Sequence, residues 1–256
     1  MEFQEKIKQK KGKEKIVMLT TYDYQTAKIL DEMRIDLILV GDSLGTVFQG
    51  HSDTRSVTME EMVYHTRAVA RGVRDTPVIG DMPINSYETV AGGLKNAKRF
   101  LDAGAHGVKI EGNKPDIVET LKESNVPVMG HVGMLPQTAE SYKVKGKTAQ
   151  EAEKILQDAT QLDASGVFSI VLECIPESLA EEITSHVNAP TIGIGAGKYC
   201  DGQVLVINDM LGLNNDFKPK FVKRYADLNA VVKNAVATFR DEVRSGAYPD
   251  EQHTYH

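Results

Sequence analysis

Eight short runs of branched apolar residues recur along the chain, each continuous rather than alternating with polar positions. They fall at residues 15–21 (KIVMLTT), 35–42 (IDLILVGD), 76–83 (TPVIGDMP), 106–112 (HGVKIEG), 126–133 (VPVMGHVG), 166–173 (GVFSIVLE), 189–197 (APTIGIGAG) and 203–209 (QVLVIND). Short runs apolar at consecutive positions suit strands covered on both faces, the condition of a parallel sheet. Helix-like segments separate most of them: 24–33, 58–72, 86–103, 115–124, 148–165, 176–187 and, after the last run, 221–246. Thr58 and Glu61 have capping-box spacing. Ala152, Ile155, Leu156, Ala159 and Leu162 recur at helical period, and Pro176 suits a first helical turn. Residues 198–202 are too few for a helix.

Strand–helix alternation implies parallel strands joined by right-handed crossovers. Eight strands in 256 residues favour a closed (β/α)8 TIM barrel, read as one domain over residues 1–256. The alternative is an open doubly wound sheet. Residues 1–14 read as an extension whose extra helix packs outside or beneath the barrel. Its lysines (Lys6, Lys8, Lys10, Lys11, Lys13, Lys15) read as a solvated helix face or arm. With a net charge of −6 and no basic block farther along, nucleic-acid binding is not expected. No apolar run approaches the roughly 20 residues of a membrane helix, and no signal peptide is visible. The two cysteines, Cys174 and Cys200, form no disulfide framework or metal-ligand spacing. A cytoplasmic location is expected.

A barrel enzyme carries its chemistry at the C-terminal ends of its strands. Those ends read Asp42 and Ser43, Asp81, Lys109 and Glu111, His131, Glu173, and the glycines at 193, 195 and 197. Two carboxylates on neighbouring strands repel each other in a partly dry site, and a divalent cation relieves that. Oxygen ligands without nearby cysteine or paired histidine favour Mg²⁺, with Glu111 joining directly or through a water. Lys109 and Glu111 differ by two and share a face; the lysine suits an anionic substrate. Individually, Asp42 could instead cap a helix, Asp81 serve a turn, Lys109 and Glu111 form a structural ion pair, and His131 be a satisfied core histidine. Glu173, between Leu172 and Cys174, is costly to bury without a partner. Cys174 reads as a small buried hydrophobe. The glycines after residue 192 match neither a dinucleotide fingerprint nor a phosphate loop, and are expected to let backbone approach a ligand in the barrel mouth.

The segments VGDSLGTVFQGHSDTRSVTMEEMVYHTRAVARG, GDMPINSY, NAKRFLDAGAHGVKIEG, GHVGMLPQ, VLECIP, TIGIGAG, DGQVLV and SGAYPDEQHTYH, in this order, resemble the ketopantoate hydroxymethyltransferase family. The likeness runs from about Met18 to the C-terminus. It implies a barrel of the phosphoenolpyruvate/pyruvate type and a homodecamer of two stacked pentamers. It implies one-carbon transfer from 5,10-methylenetetrahydrofolate to 3-methyl-2-oxobutanoate, consuming water and giving 2-dehydropantoate, the first committed step towards pantothenate and coenzyme A. The Mg²⁺-binding pair then falls on Asp42 and Asp81, with the outer carboxylate on Glu111. The keto-acid contacts fall on Asp42, Ser43, Asp81 and Lys109, with His131 a further candidate, and the general base falls on Glu173. Leu135, Ile84 and Lys145 depart from common family residues, on loops around the expected folate side.

Two other readings share these residues. One is a related Mg²⁺-dependent 2-oxo-acid lyase or aldolase-type barrel; such enzymes usually carry a cysteine on a gating loop, and neither cysteine here is so placed. The other is an inactive metabolite-binding barrel, disfavoured by intact Asp42, Asp81, Lys109 and Glu173.

Overall fold

The structure, a computed structural model, describes residues 2–139, 141–214 and 219–256. In chain order its elements are α1 (Phe3–Lys10), β1 (Ile16–Thr20), α2 (Tyr24–Glu32), β2 (Leu37–Val40), α3 (Leu44–Val47), α4 (Met59–Ala70), β3 (Val78–Asp81) and α5 (Val90–Asp102). There follow β4 (Gly107–Lys109), α6 (Pro115–Glu123), β5 (Val128–Gly133), α7 (Ala149–Ser165), β6 (Ser169–Glu173), α8 (Glu177–His186), β7 (Thr191–Ile194), β8 (Gly202–Leu205), α9 (Ile207–Met210) and α10 (Leu228–Ser245). The strands pair in sequence order, all parallel, and β8 returns to β1, so the sheet is the closed barrel expected.

Closure fixes which residues point inward. Ile16 and Met18, Leu37 and Leu39, Ile79, Met129, Val171, Ile192 and Val204 form one buried cluster contributed by seven strands. Each such side chain is worth roughly 1.5–3 kcal/mol of burial. Ile7 of α1 joins this cluster, and the Phe3 ring meets the Phe168 ring edge-on at 5.3 Å. Phe168 immediately precedes β6, so α1 closes the N-terminal end of the barrel: the extra helix lies beneath it. Two of the lysines expected on a solvated face fasten this arm instead. Lys10 pairs with Asp36 at 2.9 Å, and Lys11 donates to Asp201 Oδ2 at 3.0 Å.

Several boundaries differ from the sequence expectation, each for a local reason. The helix expected at 86–103 begins at Val90, because the Thr89 hydroxyl accepts from Gly92 N and sets the cap there. The last long helix begins at Leu228 rather than 221, capped by Asp227 on Ala230 N. The eighth strand stops at Leu205, and residues 207–210 turn helical; its pairing with β1 ends at the Leu19–Leu205 register. The short α3, directly after Asp42 and Ser43, was not foreseen; four residues carry too little periodicity to read.

The chain divides into two compact units, Met1–Val206 and Ile207–His256. The first holds α1 and all eight strands. The second holds α9 and α10, and its tail is ordered by Asp250, which accepts from Gln252 N and His253 N. Val232, Val236, Phe239 and Val243 recur along α10 at helical spacing. Among the described residues no helix is long and apolar enough to cross a membrane.

Gly80 packs flat against Phe100 of α5; a Cβ there would lie 2.2 Å from the ring. Gly80→Ala is expected to cost about 1–3 kcal/mol through overpacking. A lowered urea midpoint with unchanged slope checks it.

Candidate active site

The inward positions change character one step above the apolar layer. On β3, Ile79 is followed two residues on by Asp81; on β5, Met129 by His131; on β6, Val171 by Glu173. Period-two alternation therefore lifts each charged side chain into the same upper layer of the barrel interior. The register pairs Asp81 with Lys109 on adjoining strands, and the ammonium donates to Asp81 Oδ1 at 2.7 Å. Strand β4 itself ends at Lys109, but ladder-type hydrogen bonds continue, Ile110 N to Met129 O and Gly112 N to His131 O. That continuation keeps Glu111 beside His131 and 3.9 Å from Lys109.

Asp42 arrives differently. Buried β2 ends at Val40, and Gly41 lets the chain fold back; a Cβ there would sit 2.8 Å from Ser43 Oγ. Asp42 N then donates to Asp81 Oδ2 at 3.2 Å. The Asp42 carboxylate caps no helix: the cap residue of α3 is Ser43, which makes no side-chain capping bond. The Ser43 hydroxyl instead shares a 2.8 Å hydrogen bond with Tyr22 OH, which also bonds Thr20 Oγ1 at 2.9 Å.

His131 is 1% exposed and lies between two carboxylates, Nδ1 3.5 Å from Glu111 Oε1 and Nε2 3.2 Å from Glu173 Oε2. These are ion-pair distances whose angles make neither a well-formed hydrogen bond. The seven polar residues singled out at the strand ends are thus in one cluster, running from Ser43 and Asp42 through Asp81, Lys109, Glu111 and His131 to Glu173. Asp42, Asp81, Lys109, Glu111 and His131 are buried; Glu173 keeps 16% of its side chain exposed.

The charges shape one another. Burial and the neighbouring Asp81 push the Asp42 carboxyl well above its ordinary range. Burial works against the Lys109 ammonium, yet Asp81, Glu111 and Asp42 hold its pKa above the ordinary value. Burial and Lys109 oppose protonation of His131, but Glu111 and Glu173 outweigh them and raise it to about 9. Glu111 is pulled below its usual range, His131 overcoming burial.

Four carboxylates face one lysine and one histidine, a formal excess of two negative charges when every carboxylate is ionised and His131 is protonated; the raised Asp42 carboxyl shows how strongly the metal-free cluster resists that excess. An excess of two in a dry site suits a divalent cation. Among the described residues no three of His, Cys, Asp and Glu are placed to hold a metal ion together. The protein offers the Asp42–Asp81 pair, and that fits Mg²⁺, which keeps waters and takes substrate oxygens for the rest of its shell. Glu111 is already engaged, its Oε2 accepting from Gln137 N at 3.1 Å.

Some sequence readings change. Gly193 and Gly197 are required by neighbouring side chains, since a Cβ would meet Cys200 Sγ at 2.9 Å and Glu177 Cγ at 2.5 Å; packing alone is reason enough for both glycines. Cys174 is only half-buried and sits at φ 47°, with burial and Glu173 pushing its thiol up to about 12. Tyr22, Tyr87, Gln137 and Tyr142 belong to the site's surroundings; Tyr87 and Gln137 end the segments GDMPINSY and GHVGMLPQ, but no periodicity assigned any of the four a place in the site. Burial and the charges of Glu173 and Asp42 push the Tyr142 hydroxyl up to about 12.

The family model described as ketopantoate hydroxymethyltransferase matches residues 2–251. A 3-methyl-2-oxobutanoate hydroxymethyltransferase of Clostridium kluyveri is 51% identical over 253 residues, covering 96% of this chain and 90% of its own. One of Thermotoga maritima is 50% identical over 257 residues, covering 98% and 95%. Among solved structures, 2,3-dimethylmalate lyase, a PEP mutase/isocitrate lyase superfamily member, aligns with TM-score 0.63 at 13% identity, covering 100% of this chain and 92% of its own. That likeness carries the fold.

His131 gives the metal-free protein a pH signature. Its pKa is raised on folding, so its stabilisation is complete below about 6.5 and is lost as pH rises through about 9. In chelator, the difference in melting temperature between wild type and His131→Gln is expected to shrink between pH 6 and 10. A constant difference would contradict it.

Proposed function

This chain belongs to the ketopantoate hydroxymethyltransferase family, and from that premise we propose how its residues divide the work. The activity is hydroxymethyl transfer to 3-methyl-2-oxobutanoate, giving 2-dehydropantoate for pantothenate synthesis. The one-carbon donor is 5,10-methylenetetrahydrofolate, and the metal is Mg²⁺ held by Asp42 and Asp81, with Glu111 in its outer shell.

Binding comes first. Lys109 is the one lysine in the buried cluster, and it supplies the positive charge for the substrate carboxylate. Ser43, steadied by Tyr22, donates its hydroxyl to the same carboxylate. When bound, Mg²⁺ supplies Lewis-acid stabilisation of the charge that develops on the keto oxygen.

Proton removal at C3 falls to Glu173. It is the carboxylate of the cluster that reaches the open mouth. His131 Nε2 stands by Glu173 Oε2, holding the carboxylate in place and leaving Oε1 to take the C3 proton. His131, enclosed by Glu111 and Glu173, acts on the substrate through Glu173 rather than by touching it. The folate methylene carbon exchanges its two C–N bonds for one bond to C3 and one to the oxygen of water; the two nitrogens take the C3 proton and one proton of the water and leave as tetrahydrofolate, and the transferred carbon becomes the CH2OH of the product. The supporting observation is the inward charged row above the apolar layer, in which Asp42, Asp81 and Glu111 are buried and Glu173 is the carboxylate that stays partly exposed.

Glu173→Gln is expected to lower turnover by about 10²–10⁴, the usual worth of a positioned base, while leaving keto-acid binding measured by calorimetry unchanged. Retained turnover in that variant would remove Glu173 from the base role.

A further inference from the structure

Gln137 stands in the turn after β5 and is 2% exposed. Its polar groups make four hydrogen bonds. Nε2 donates to Asp42 Oδ2 at 3.0 Å and to Met82 O at 2.9 Å; Oε1 accepts from Tyr87 OH at 2.6 Å; its backbone N donates to Glu111 Oε2 at 3.1 Å. Tyr87, on the loop between β3 and α5, accepts from Glu111 N at 3.2 Å through the same hydroxyl. One residue, by its side chain and its backbone N, therefore ties together the ends of β2, β3 and β4 and two loops.

The amide can sit only one way round. Asp42 Oδ2 and Met82 O are both acceptors, so the NH2 must face them, and the carbonyl must face the Tyr87 hydroxyl. With both amide protons and the carbonyl used, the group has no slack. It is also neutral. A lysine or arginine here would also donate to Asp42 but would set a positive charge beside the place of the cation, which a neutral amide does not. Asp42 Oδ2 is committed to Gln137, and no donor among the described residues reaches Asp42 Oδ1.

We infer that Gln137, locked by Tyr87, is the positioning residue that presents Asp42 to the divalent cation through a single oxygen while holding Glu111 back in the outer shell. This rests on the reading of Asp42 as a cation ligand. Groups that orient a metal ligand typically contribute 10–100-fold to metal affinity.

The test is Mn²⁺ binding by the full chain, followed by electron paramagnetic resonance without substrate, for wild type, Gln137→Met, Tyr87→Phe and Asp42→Asn. Gln137→Met is expected to bind about 10–100-fold more weakly, with turnover recovered at high metal concentration. Tyr87→Phe, which loosens the amide without touching Asp42, is expected to weaken binding in the same direction by less. A purely structural role would lower the melting temperature and leave the Mn²⁺ dissociation constant unmoved. Wild-type affinity in both Gln137→Met and Tyr87→Phe, with binding lost in Asp42→Asn, would overturn the inference alone. Wild-type affinity in Asp42→Asn would overturn the ligand reading and this inference with it. If Gln137→Met does not fold, unchanged affinity in Tyr87→Phe is sufficient to overturn it.

Discussion

The Lys109–Asp81 ion pair, 2.7 Å long and buried between adjoining strands, is the contact on which the upper half of the barrel depends. A buried pair of this kind is poor evidence of stability, because desolvation cancels much of its attraction. Its value lies in what surrounds it. Asp42 N holds Asp81 on one side, and Glu111 stands on the other, leaning on His131. Remove the ammonium and Asp42, Asp81 and Glu111 are left with mutual repulsion and one histidine. The chain maintains this arrangement at a cost to folding, and buried charge held at such a cost is characteristic of functional sites.

The barrel makes the arrangement possible with little extra structure. Inward side chains repeat every two residues, so the apolar layer of Ile79, Met129 and Val171 is followed directly by Asp81, His131 and Glu173. The strands hold the charged groups more rigidly than loops would. Asp42 is the exception: it comes from the turn after β2, and it needs Gly41 beneath it and Gln137 beside it to stay in place.

That same periodicity is why much of the molecule was legible beforehand. Continuous apolar runs disclosed the eight strands, and the charged residues at the ends of five of those runs lie together in the structure. The residues that sequence reasoning passed over lie where no period operates. Gln137 and Tyr87 come from turns, and their roles exist only through contacts 24 to 95 positions away along the chain. Ser43 could be seen, but its partner Tyr22 could not. The glycines at 193 and 197 look ligand-facing in sequence, because nothing local reveals that Cys200 and Glu177 occupy the space a side chain would need. The end of β8 was overrun because Val206 and Ile207 continue its apolar pattern after the pairing with β1 has stopped.

The fold is shared with lyases at 13% identity, so it does not by itself select a reaction. In the function proposed, what selects the reaction is the cluster, which combines the buried Asp42–Asp81 pair with one partly exposed carboxylate, Glu173. The most direct test is deuterium exchange at C3 of 3-methyl-2-oxobutanoate, followed by NMR without any folate, in Mg²⁺ and in chelator. Metal-dependent loss of the C3 proton signal is the expected result. Equal exchange with and without metal, or none in either, would contradict the assignment of the cluster to C3 proton removal.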